Sequence, residues 1–86
     1  MRYVLSAHAA EAIAERRIPL ALVESVLQHP QQVTPERGGK NAYQSQIDSG
    51  RGRIFLLRAI IDDSVDPAVV VTVYRTRKIG KYWRTA

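Results

Sequence analysis

At Pro30 the apolar rhythm of the chain changes from steps of three and four to strict alternation, which confines the fold to helices first and strands after. Before that point, Ser6 can cap a helix running through Ala7 to Arg17, a stretch with five alanines and no glycine or proline. Ile18 precedes Pro19 and is held extended, so the first helix ends there. Pro19 suits the first turn of a second helix, because it lacks only an N–H that would be unpaired anyway. In that helix Leu20, Val23 and Leu27, with Leu22 and Val26 beside them, make one apolar stripe opposite Glu24, Ser25 and Gln28. Helices are predicted over 6–17 and 19–29, joined closely enough to form a hairpin.

Beyond Pro30 the period is two. Strands are predicted over 31–36, 41–48, 53–62 and 67–75, with turns at Gly38-Gly39, Asp48-Ser49-Gly50 and Asp62 to Asp66. The longest places Phe55, Leu57, Ala59 and Ile61 on one side and Ile54, Leu56, Arg58 and Ile60 on the other. Val69, Val71 and Val73 alternate with Val70, Thr72 and Tyr74. The predicted class is α+β: an N-terminal helical hairpin packed on a four-stranded antiparallel sheet, one domain over residues 1–86. Eighty-six residues leave room for one core. Residues 77–86 mix Lys and Arg with Ile79, Tyr82 and Trp83, a pattern that fits a last strand, a short helix or a tail.

Charge divides unevenly along the chain. Residues 1–36 hold three basic and four acidic side chains, a net of −1, and residues 37–86 hold ten and four, a net of +6. Cations gathered in one half point to a polyanionic or acidic partner. No apolar run is long enough to cross a bilayer, the start carries no leader pattern, and a cytoplasmic setting is expected.

Cysteine is absent, which excludes disulfides and thiolate chemistry. The two histidines, His8 and His29, lie on different helices, so no metal site and no cofactor is expected. What remains is a basic and aromatic set on the strands and the C-terminal segment. Arg58 interrupts the apolar side of its strand, and a cation placed mid-strand needs water or a partner, so that sheet face is expected to be partly open. Cations bind phosphates and rings stack on unpaired bases, which suits RNA. RNA cleavage also needs no metal, because the 2′-hydroxyl is an internal nucleophile.

Ser6-Ala7-His8-Ala9, Glu15-Arg16-Arg17-Ile18, the spacing Val23, Leu27, Pro30 and the strand end Val71-Thr72-Val73-Tyr74-Arg75-Thr76 resemble the bacterial proteins called domain of unknown function 4258, grouped with RelE/ParE-like toxins. The resemblance implies a toxin neutralised by an acidic antitoxin, cutting messenger RNA, usually on the ribosome, in the RelE manner or poisoning gyrase without catalysis in the ParE manner; the alternative is an interaction module that docks on a protein or nucleic acid through its basic sheet. It implies His8, Tyr74 and Arg75 as catalytic residues. Arg16, the match to the arginine that follows the family's histidine, joins Arg58, Lys78, Lys81 and Tyr82 as expected RNA contacts. Where the family often carries an arginine this chain has Ala12, and where it often carries glycine this chain has Arg17.

Overall fold

A computed structural model describes residues 1–85; Ala86, the end of the basic segment, lies outside the described residues. Strand β1 (Tyr3–Leu5) comes first, followed by helices α1 (Ala7–Glu15) and α2 (Leu20–Gln28). Strands β2 (Gln32–Pro35), β3 (Asn41–Asp48), β4 (Ile54–Asp62) and β5 (Ala68–Thr76) follow, and a short helix α3 (Ile79–Tyr82) closes the chain. The sheet has five strands in the order β1-β5-β4-β3-β2.

This corrects the expected four-stranded antiparallel sheet. β2 to β5 do run antiparallel, but β1 adds to the far edge parallel to β5, pairing Tyr3 with Ala68 and Leu5 with Val70. Three residues are too few to show alternation, and a pairing between the two ends of the chain leaves no local turn signal.

Ser6 caps α1: its hydroxyl oxygen accepts from the Ala9 amide at 3.0 Å and donates to the Val71 carbonyl at 3.0 Å. The helix closes on a paired motif, with Arg17 N–H donating to the Ala14 carbonyl and Ile18 N–H to that of Ile13. That motif puts Arg17 at φ 53°, in the left-handed region that favours glycine.

Ala9, Ala12 and Ile13 on α1, and Val23, Val26 and Leu27 on α2, are buried at helical spacing. All but Ala12, which is buried alongside, join Ile18 in the core against Leu57, Ala59, Ile61, Ala68, Val70 and Val73. Two expected positions differ. Leu20, placed in the stripe by spacing, is 66% exposed because it opens α2 beyond the sheet. The alternation of β5 breaks at a bulge opposite Ile60 and Ile61, so Val70 and Val73 both reach the core.

Candidate nucleic-acid interface

Sheet register aligns four polar side chains on the face away from the helices. Gln32 pairs with Gln44, Gln44 with Arg58, and Arg58 with Tyr74, one residue from each of β2, β3, β4 and β5. Strand alternation puts all four on one side, because directly opposed residues share a face.

Arg58 sits at the centre of this row and is only 2% exposed. Its Nε donates to Gln44 Oε1 at 2.8 Å and its Nη1 to the Tyr74 hydroxyl at 2.5 Å. The guanidinium carbon lies 4.1 Å from the Tyr82 ring centre and 5.7 Å from that of Tyr74. Glu36 Oε1 stands 3.7 Å from Nη2, beyond hydrogen-bond reach, so the buried charge is held mainly by neutral groups and rings.

The C-terminal segment closes over the row. Gln44 Nε2 donates to Gln32 Oε1 at 2.9 Å and to the Tyr82 carbonyl at 3.1 Å. Gln32 grips Arg84 at two points, accepting from its amide at 3.1 Å and donating to its carbonyl at 2.5 Å. Among the described residues no buried side-chain nitrogen or oxygen lacks a partner. The face expected to be partly open is therefore shut above Arg58, and the water or partner that a mid-strand cation requires is supplied by Gln44, Tyr74 and Tyr82.

The expected catalytic residues do not meet. Tyr74 belongs to the polar row, whereas Arg75, its neighbour on the strand, points to the other face, where its guanidinium lies 6.0 Å from the Phe55 ring centre. Arg75 Nη2 donates to the carbonyl of Arg16, and Arg16 Nη1 donates to the carbonyl of Val73 at 2.7 Å. The two arginines thus brace the end of α1 to β5, and Arg75 sets a cation at the negative end of that helix. His8 is exposed on the first turn of α1, about 12 Å along the helix from Arg16 at 1.5 Å per residue.

Lys78, Lys81 and Tyr82 share the turn of α3, Arg84 follows on Gln32, and Arg77 lies with Arg75 and Phe55 on the other side; sequence reading left Arg77 and Arg84 out of the site. All four cations are exposed and none forms an ion pair among the described residues. Lys81 Nζ lies 5.2 Å from the Tyr82 ring centre, and the Tyr82 and Tyr74 rings meet edge to face at 6.3 Å. The Lys81 ammonium, with smaller help from Tyr74 and Arg58, holds the Tyr82 phenol below its ordinary value. Burial raises that of Tyr74 despite the opposing Arg58 charge. Glutamines carry no charge signal, so Gln32 and Gln44 were invisible until register set them beside Arg58.

Family comparison fits this division of the chain. The model of DUF4258, a domain of unknown function, matches residues 5–75, from the end of β1 to the penultimate residue of β5. The chain belongs to that family, and α3 lies beyond the matched residues. No curated protein and no solved structure matches it.

Proposed function

We propose that this DUF4258 chain is a RelE/ParE-like toxin of a bacterial toxin–antitoxin pair, acting on messenger RNA as a metal-independent endoribonuclease. The observation that carries the reading is Tyr82, its phenol held low by the adjoining Lys81, beside a second tyrosine and a buried arginine, on a segment whose exposed cations form no ion pair among the described residues. Unpaired cations on one segment suit a phosphate backbone. A phenol held low supplies phenolate near neutral pH more readily than an ordinary tyrosine.

In this mechanism the Tyr82 phenolate takes the proton of a ribose 2′-hydroxyl. The 2′-oxygen forms a bond to phosphorus, the bond from phosphorus to the 5′-oxygen breaks, and the Tyr82 phenol returns the proton to that leaving oxygen. Lys78, Lys81 and Arg84 offset the charge that builds on the phosphorane. The products are a 2′,3′-cyclic phosphate and a 5′-hydroxyl. Lys81 keeps the Tyr82 phenol low, Tyr74 and Arg58 hold Tyr82 in the free protein, and His8 and Arg75 stand outside the reaction.

The net charge of +5 suits an acidic antitoxin. Exposed Leu5 and Leu20 border a groove with Ile13, Ile18 and Arg17, which gives such a partner an apolar seat with a cationic rim. The scatter of His8, Tyr74 and Arg75 favours one second reading: a toxin that docks on a protein or nucleic acid through its basic surface without cutting. Induction in cells lacking any antitoxin tests the toxin reading. Growth should stop with the wild type and continue with Lys78→Glu/Lys81→Glu, and continued growth with both overturns it.

A further inference from the structure

We propose that the row Gln32, Gln44, Arg58 and Tyr74 is itself a binding site for a nucleotide of single-stranded RNA, which the chain's own C-terminal segment fills until RNA displaces it. This rests on the RNA reading above and adds both the seat and its control.

The groups that the segment offers the row are those a nucleotide would offer. Tyr82 lays a ring against a guanidinium, as a base stacks on arginine. The Tyr82 carbonyl and the Arg84 amide and carbonyl give the two glutamines one donor and two acceptors, the kinds of group found on base edges. What its described residues do not offer Arg58 is an anion. Arg58 is buried with its nearest carboxylate 3.7 Å away, and a phosphate would meet that charge where the segment meets it only with rings and neutral groups.

The attachment is also of a releasable kind. α3 is four residues long, none of them is fully buried, and none belongs to the core cluster under the helices. Beyond the ring contacts, the described residues of the segment are held to the sheet through the side chains of Gln32 and Gln44, with no strand pairing. It lies past the part of the chain that the family model matches. When it swings away, Tyr82 travels with its neighbour Lys81 and with Lys78 and Arg84, so the general base and the cations follow the RNA backbone together.

The test is to lock the segment. The chain has no cysteine, so Gln32→Cys with Arg84→Cys can be joined by one short cleavable thiol cross-linker across the Gln32–Arg84 contact in the full chain. The probe is a fluorescent single-stranded RNA of about twelve nucleotides, with 2′-O-methyl riboses so that it cannot be cut. The cleaved form should bind at least about tenfold more tightly than the cross-linked form, since affinity scales with the fraction of open protein. Equal affinity in the two forms overturns the covered site and leaves the RNA reading standing; no binding by wild type or either form overturns both.

Amide hydrogen exchange on the wild type gives an independent check should the double variant misfold. Saturating RNA should lower the protection of residues 82–84 while that of β4 rises or holds. Protection of 82–84 that rises or stays unchanged on binding overturns the proposal.

Discussion

The guanidinium of Arg58, on the central strand, lies 4.1 Å from the ring centre of Tyr82, on the last helix, and this stack fastens the C-terminal segment to the sheet. One buried cation thus decides both the packing of a sheet face and the resting position of the tyrosine assigned to proton transfer.

Replacing Arg58 should therefore cost stability as well as function. Arg58→Ala leaves a cavity and strands Gln44 Oε1 and the Tyr74 hydroxyl in a buried setting, at a cost of about 2–4 kcal/mol. Arg58→Met, which keeps the volume, should cost less than the alanine variant. Urea unfolding of the two variants measures the difference, and equal losses would mean that volume does not matter at this position.

Alkali should separate the four tyrosines. Tyr3 is raised by its hydrogen bond to Glu24, Tyr43 by burial and then by Asp63, and Tyr74 by burial. A raised phenol favours the neutral form in the folded chain, so its contribution is present below the unfolded value of 10.0 and is lost as pH rises through the folded value. Tyr82 is lowered and has the opposite sign, its contribution being lost as pH falls through its folded value. Absorbance should show one phenol ionising before the other three, with stability falling above about pH 10. Tyr82→Phe should remove the early step.

Arg16 and Arg75 should behave as one unit. Each alanine variant removes one side-chain-to-backbone bond, worth about 1 kcal/mol. Because the two share the junction of α1 with β5, the double variant should depart from the sum of the singles by at least about 0.5 kcal/mol. Arg75→Ala should leave RNA cutting unchanged once stability is corrected for. At the adjoining cap, Arg17→Gly should gain about 0.5–1 kcal/mol by relieving the left-handed backbone.

Much of this fold is legible in the sequence because the signals are local. Ser6 and Pro19 mark helix starts, and the alternating runs give β3, β4 and β5 within about a residue. β1 is hidden because its partner is β5, at the other end of the chain, and the bulge in β5 follows from strand pairing that no single run of residues encodes. The site was only half visible. Lys78, Lys81 and Tyr82 stand close in sequence and in space, but alternation alone divides Tyr74 from Arg75, and the length of α1 carries His8 away from both. Burial of Arg58 could not be read from its strand, since what covers it lies beyond β5.

Binding should carry the signature of the exposed cations. With Arg77, Lys78, Lys81 and Arg84 contacting phosphates, log affinity for single-stranded RNA should fall with log salt with a slope of about −3, near −0.7 for each contact. Lys78→Glu with Lys81→Glu should abolish binding and leave the thermal midpoint within a few degrees, because neither side chain packs in the core. A flat titration would remove the polyanion argument.

Mapping the ends of messenger RNA fragments made by the purified protein in a cell-free translation reaction tests the ribonuclease reading most directly. New ends should carry 2′,3′-cyclic phosphate on one side of each cut and 5′-hydroxyl on the other, and Tyr82→Phe should slow their appearance on the order of a hundredfold. Ends bearing 3′-hydroxyl and 5′-phosphate, or no new ends where the same protein arrests growth in cells, would contradict it.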